Sequence, residues 1–380
     1  MAAWSDLTFD VLEHITSFLP LPDHYRFGAV CKNWRSVSKQ RRRPPAPQLP
    51  WLVLEDDKET RNRKFYSLSE AKHYSLDVPE LHGRYICGSS HGWLFAVDLK
   101  ITGILINPFT RECYELPPFP GYNEYTNVTT LIEKVPSNYN GGPIGWTFAK
   151  MQPQIVFKAI LSHDPMERSD FTAMILFGEM HKSAFWRPGD SSWTVIDGPK
   201  SSMDDILYFK GNFYAIAPNN KLYVVDFEPE PKLIKVGPKI PLENGVESCG
   251  IQRYLIDFNG HMLLIERTCK YGNGKAITDG FIVIEPKLEQ NCYNIWCDID
   301  GYALFLGRNV CIHVDSCRLP KCKKNGIYFT HPNESISSVE FGFHDLGVFD
   351  MTDKTMGTFY PVEVFFPRVD SPVWITPNPW

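Results

Sequence analysis

The stretch with the most chemical promise is Gly88-Ser89-Ser90-His91-Gly92. It fits G-x-S-x-G, the turn that lifts a nucleophilic serine above the sheet of a hydrolase, and that chemistry needs a strand, a sharp turn and then a helix. The next residues, "WLFAVD", Trp93 to Asp98, read as a strand, so a tight turn at the inner edge of a sheet unit is expected instead. Gly272-Asn273-Gly274 lacks the third glycine of a dinucleotide loop and no helix succeeds it, so it reads as a hairpin turn. Cys292, Cys297, Cys311, Cys317 and Cys322 cluster, but they form no C-x-x-C pair and no histidine stands at finger spacing after them. They read as small strand residues, not a metal site. The 11 histidines are scattered, and no paired carboxylates or His–Cys arrangement stands out. No catalytic, cofactor-binding or metal-ligating residue is therefore assigned, and a non-catalytic chain without a cofactor is expected.

The elements that would carry such residues divide sharply. From Leu7 to Leu19 the apolar residues Val11, Leu12, Ile15, Phe18 and Leu19 step by three and four, the spacing of one helix face. Thr8 is placed as its N-cap, and Pro20 and Pro22 as its stop. Asp23 is placed as the cap of a second helix whose apolar side carries Phe27, Val30, Cys31, Trp34 and Val37. "KQRRRPPAPQLP" then breaks it, and its three arginines are a nuclear-localisation candidate set against plain linker charge.

After Trp51 the period changes to two. "LFAVD", "ILINP", "AMILFGEM", "KLYVVDF", "HMLLIER" and "FIVIEP" are short runs rich in β-branched and aromatic residues, separated by turn signals such as "RPGD" and "FNGH". They group in fours, and repeats of this size mark a β-propeller. "WLVLEDD", "KFYSLSE" and "HYSLDVP" precede the first full group, and "PVWITPNPW" ends the chain. Three strands from the front and one from the back would complete a sixth blade and close the ring, leaving no open sheet edge. The expected fold is mainly β: a helical module over 1–43, a proline-rich linker over 44–50, and a six-bladed propeller over 51–380.

A length of 380 residues allows more than one unit, and a net charge of -5 offers no basic field for nucleic acid. No apolar run is long enough to span a membrane, and "MAAWSDLTFD" does not read as a signal peptide. The 10 cysteines are then expected as free thiols in a reducing compartment, cytoplasm or nucleus.

"WSDLTFDVLEHITSFLPLPDHYRFGAVCKNWRSV" resembles an F-box, most specifically in "LPLPD" and "VCKNWR". It departs from that family at Thr8, where a proline usually comes after the first leucine. The segments "CGSSHGWLFAVD", "INPFTRECYELPPF", "GIYFTHPN", "DLGVFDM" and "PVWITPNPW" resemble plant F-box proteins with a kelch-like domain of unassigned function. The resemblance implies a substrate receptor in a Skp–cullin–F-box ubiquitin ligase. Its partners would be a Skp-type adaptor, through it a cullin, and a target protein. Leu7, Thr8, Leu12, Ile15, Leu19, Val30, Cys31 and Trp34 become adaptor-binding candidates, set against internal packing of the same residues. Tyr122, Tyr125, Trp186 and Trp193 are target-binding candidates on loops, set against ordinary packing. Two alternatives stay open: an F-box scaffold acting outside a ligase, as in transcription, and a propeller enzyme acting on glycans.

Overall fold

In the computed structural model the described residues are 4–19, 21–39, 49–57, 60–98, 101–120, 156–178, 180–240, 252–272, 275–319, 321–332, 344–360 and 372–378. A 3-10 turn, Trp4–Asp6, leads into α1 (Phe9–Thr16), α2 (Leu21–Val30) and α3 (Lys32–Lys39). Thr8 does stand at the N-cap of α1, with extended backbone, and its carbonyl accepts the Leu12 N–H at 3.1 Å. Its side chain makes no capping bond, so it starts the helix through backbone shape alone.

Two helix boundaries differ from expectation. Pro22 does not end α1; it stands in the first turn of α2, where a missing N–H is harmless. Asp23 lies in that same turn and pairs with Arg26 at 2.6 Å instead of capping. The single second helix is in fact two, because the chain breaks at Cys31 and α3 folds back on α2. Gly28 permits the close approach: a Cβ there would meet Ser38 Oγ at 2.8 Å. Phe27 then stacks on Trp34 with ring centroids 4.3 Å apart, and Arg35 Nε donates to the Gly28 carbonyl at 3.2 Å. Leu12, Phe27 and Val37 form a small buried centre of this module, separate from the cores of the sheets.

The period-two runs all form strands. β1 (Trp51–Asp56), β2 (Arg63–Ser67) and β3 (Lys72–Leu76) precede a meander of β4 (Tyr85–Ser90), β5 (Trp93–Val97), β6 (Gly103–Ile106) and β7 (Cys113–Leu116). A second meander holds β8 (Val156–Leu161), β9 (Ala173–Phe177), β10 (Lys182–Trp186) and β11 (Thr194–Val195). A third holds β12 (Asp205–Phe209), β13 (Asn212–Ile216), β14 (Leu222–Asp226) and β15 (Lys232–Val236). A fourth holds β16 (Gln252–Phe258), β17 (His261–Gly272), β18 (Lys275–Lys287) and β19 (Cys292–Trp296). The last array comprises β20 (Tyr302–Gly307), β21 (Val310–Asp315), β22 (Gly326–Pro332), β23 (His344–Asp350) and β24 (Met356–Gly357). It is not a simple meander: β22 runs parallel to β20, and the order is β21-β20-β22-β23-β24.

The chain ends in β25 (Val373–Ile375), which pairs antiparallel with β1, so the order of that sheet is β25-β1-β2-β3. Front and back of the chain therefore share one sheet, as the leftover strands required. The meanders starting at β4 and β8 join into one eight-stranded sheet through a single parallel pairing, Gly88 with Ala159. Glycine is needed there, since a Cβ at Gly88 would lie 2.5 Å from the Ala159 carbonyl oxygen.

Alternate side chains of the inner strands enter different apolar layers, whereas outer strands such as β11 and β15 stay largely exposed. Trp93, Phe95 and Val97 point to the layer shared with β8–β11, while Leu94 and Ala96 point to the layer shared with β1–β3. Both faces of β5 are buried, which is why "WLFAV" is apolar throughout instead of alternating. Six such layers lie between consecutive arrays, and the last, with Trp374, Phe305 and Tyr328, joins β20–β24 back to β1 and β25.

Candidate functional site

Two surfaces stand out: the outside of the helical module and the centre of the ring. Among the described residues ten large hydrophobics are exposed, and four of them, Trp4, Val11, Phe18 and Val30, belong to the module's first thirty positions. Leu12 and Ile15 of α1, with Leu19 just beyond it, turn inward. A second stripe, Val11, His14 and Phe18, faces out, with the His14 ring edge-on to Phe18 at 4.9 Å. Trp4 is held in place because the Trp34 indole N–H donates to its carbonyl at 3.1 Å. Asn33 Nδ2 donates to the Ser5 carbonyl at 3.2 Å, fixing the same turn.

The eight adaptor candidates separate on this basis. Leu12 has no exposed surface, so it belongs to the core and not to a contact face. Leu7, Ile15, Leu19 and Trp34 are half-buried and pack against that core. Cys31 is half-buried at the break between α2 and α3, Thr8 is exposed, and Val30 ends α2 fully on the outside at 59% exposure. Trp4 and Phe18, at 74% and 70%, were not among the candidates. The spacing of Val11, His14 and Phe18 was the signal for the outer stripe, hidden because it overlaps the inner stripe and runs past the end of a helix of 8 residues.

Trp186 and Trp193 are corrected by the structure. Both are buried in the layer between the β4 and β8 meanders. Trp186 Nε1 donates to the Asp190 carbonyl at 2.9 Å, and Trp193 Nε1 to the Pro117 carbonyl at 3.1 Å, with Trp193 stacked on Phe119 at 5.5 Å. They seal neighbouring sheets together and leave no face for a target. Tyr122 and Tyr125 lie outside the described residues.

At the centre, β25, β4, β8, β12, β16 and β21 neighbour one another in cyclic order around an axis. They enclose a cavity of about 730 Å³, whose walls include Ser89, Ser90, Lys158, Ile160, Ile206, Leu255 and Cys311. At one end the β20–β21 turn packs against the starts of β4 and β8: Asn309 Nδ2 donates to the Ile86 carbonyl at 3.0 Å, and the Arg308 guanidinium lies 4.3 Å from the Phe157 ring centre. At the other end, His91, His163, Arg168, Tyr208, Lys210 and Asp257 surround the opening. The stretch Gly88 to Gly92 runs as a strand, a two-residue turn and another strand, with Ser89 to Gly92 lining this cavity and His91 and Gly92 both at positive φ, so it is no nucleophile elbow. Gly272 pairs with Lys275 in the β17–β18 ladder, while Asn273 and Gly274 of the expected turn lie outside the described residues.

The C-terminal segment braces that opening. Asp164 is buried, and its carboxylate accepts from Trp93 Nε1 at 3.0 Å, from the Met166 N–H at 2.9 Å and from Asn378 Nδ2 at 2.6 Å. Asn107 Nδ2 donates in turn to the Asn378 carbonyl at 2.7 Å. Cys311 is pushed up to about 12 by burial and Cys322 up to about 11, so neither thiol is a ready nucleophile or metal ligand. Among the described residues no group of three or more His, Cys, Asp or Glu is arranged to hold a metal ion.

Residues 4–44 match the F-box domain, and residues 65–350 match the KIB1-4 beta-propeller. The chain belongs to the KIB1-4 beta-propeller family. It is an F-box protein with a propeller domain, of the kind found in plants. Putative F-box protein At5g55150 of Arabidopsis thaliana is 22% identical over 99% of this chain and 98% of its own length. F-box protein SKIP23 from the same plant is 24% identical over 94% and 89% respectively. F-box/kelch-repeat protein At1g57790 is 24% identical over 69% of this chain and 67% of its own.

Proposed function

We propose that this F-box protein is the substrate receptor of a Skp–cullin–F-box ubiquitin ligase, with a six-bladed ring that holds the target and no chemistry of its own. The observation that carries this reading is the apolar outer surface of the helical module: Trp4, Val11, Phe18 and Val30 are exposed although the module has its own core. Exposed apolar side chains this dense in so small a module are unfavourable in water unless a partner covers them. The relatives that share its full length are named F-box proteins. Counting the two meanders of the eight-stranded sheet separately gives six arrays with six apolar layers, which supports the blade number. A glycan hydrolase would need two carboxylates converging on one cavity, whereas Asp257 is the one carboxylate residue among those described as lining the axial cavity. The setting is the cytoplasm or nucleus, where the ligase partners would meet it.

The test is co-purification of the full chain with a Skp-type adaptor. Wild type is expected to retain the adaptor. Phe18→Asp and Val11→Asp should lose it while keeping the far-ultraviolet circular dichroism and thermal transition of wild type. A well-folded wild-type chain that shows no adaptor binding at micromolar concentrations would overturn the ligase role.

A further inference from the structure

The charged groups around the axial opening are not equally available. Lys158 at the floor is closed off by its ion pair with Asp205, both side chains 2% exposed. Asp164 is engaged by Trp93, Met166 and Asn378. Arg168 holds Asp170 through two bonds, Nε to Oδ1 at 3.0 Å and Nη2 to Oδ2 at 2.8 Å, while the side chains stay 51% and 68% exposed, so part of its charge is already answered and only its remaining N–H groups are available to a ligand. Arg168 also donates from Nη1 to His163 Nε2 at 3.0 Å, which turns its guanidinium toward the opening. Asp257 accepts the Gly260 N–H at 2.9 Å. Lys210, at the tip of the β12–β13 turn, has no ion pair among those described; its ammonium lies 5.0 Å from the Phe209 ring centre.

The uncharged groups lean the same way. Ser90 Oγ accepts the Leu161 N–H at 3.2 Å, so its own hydrogen is left to donate inward. Tyr208 offers a hydroxyl at the opening, its ring edge-on to His163 at 5.2 Å. Donors from the innermost strands and their turns thus converge on a cavity that presents a single carboxylate among the described residues. The buried Asp164 carboxylate accepts the Met166 N–H, which holds in place the backbone of the loop that carries Arg168.

We infer that the axial cavity binds an oxyanion, a carboxylate or phosphate, carried on an acidic segment of the target protein, with Lys210 and Arg168 as the charged contacts and Ser90 and Tyr208 as neutral donors. The carrier rests on the receptor reading above; the oxyanion does not. Recognition is by charge-assisted hydrogen bonds at a preformed concave site, which fixes one acidic group of the segment and leaves the rest to the surrounding loops.

The experiment uses the full chain without any adaptor and reads fluorescence anisotropy of three labelled peptides: hexaglutamate, a serine peptide phosphorylated at one position, and hexalysine. The expected result is that hexaglutamate or the phosphopeptide binds, that hexalysine does not, and that millimolar inorganic phosphate competes. Which acidic peptide binds more tightly identifies the source of the oxyanion. Lys210→Glu should weaken binding by about tenfold or more, and Lys210→Arg should keep it. The control is Lys235→Glu on the outer strand β15, exposed and remote from the cavity, which should leave binding unchanged. The inference is overturned if neither acidic peptide binds at millimolar concentration, if Lys210→Glu binds like wild type, or if Lys235→Glu loses as much, since the last would mean diffuse surface charge. Adaptor co-purification with Lys210→Glu stays as in wild type if only the ring is affected, so failure here and failure of the receptor role are read separately.

Discussion

Lys158 Nζ bonds Asp205 Oδ1 at the centre of the ring, and neither side chain reaches solvent. Asp205 also accepts the Ile206 N–H at 2.8 Å and the Leu255 N–H at 2.7 Å, so one carboxylate links the inner strands β8, β12 and β16. Lys158→Met strands that carboxylate in the interior and should destabilise the ring by about 3–5 kcal/mol in urea unfolding. Adding Asp205→Asn removes the stranded charge while its side-chain oxygen still accepts an N–H, so the double variant should recover part of the loss. A double variant less stable than Lys158→Met would show that the charge itself is not the problem.

Burial lifts the carboxyl of Asp204 to about 6, against the pull of Arg253, which bonds it at 2.9 Å; Asp205 and Glu266 push in the same direction as burial. The folded chain thus keeps a proton that the unfolded chain releases near its ordinary value of 3.8. Stability from this group falls as pH rises from about 4 to about 6 and is level above that. Asp204→Asn cannot titrate, so the melting temperature of wild type relative to this variant should decline across that window. A constant difference from about pH 4 to about pH 7 would contradict the assignment.

Inside the helical module, Leu12 and Phe18 should fail in different ways. Leu12→Ala empties a fully buried site and should cost about 2–5 kcal/mol, enough to unfold so small a unit, which faster proteolysis of residues 4–39 in the full chain would report. Phe18 is 70% exposed, so Phe18→Ala should leave that proteolysis rate unchanged.

Trp374 is fully buried, stacked edge-on to Phe305 at 5.1 Å, and donates from Nε1 to the Leu306 carbonyl at 3.2 Å. Trp374→Ala should cost about 3–5 kcal/mol. Removing residues 372–380 exposes the edge of β1 as well, and the shortened chain should aggregate on size-exclusion chromatography where the point variant stays monodisperse.

Much of the ring was legible because inner strands such as β5 and β9 bury both faces in separate layers, and that demand writes short apolar runs such as "WLFAV" between turn signals. The pairing of β25 with β1 could be reasoned from the leftover strands, since a closed ring leaves no edge. The break at Cys31 was not legible: no proline or glycine marks it, and Val30, Cys31 and Trp34 keep a helical spacing across it. Trp186 and Trp193 misled because sequence shows the turn they flank but not the neighbouring sheet that covers them. The axial cavity was invisible for a related reason. Lys158, Lys210 and Asp257 each occupy an ordinary position in their own strand or turn, and only the closure of the ring brings them to one cavity.

The strand that closes the ring carries a consequence for how the protein is made. Synthesis delivers β1 long before Val373–Ile375, yet the sheet they share cannot be completed until β25 has left the ribosome. During translation the earlier arrays therefore wait as an unfinished ring, and a message cut short before Val373 would yield a chain whose first sheet stays open at the edge of β1.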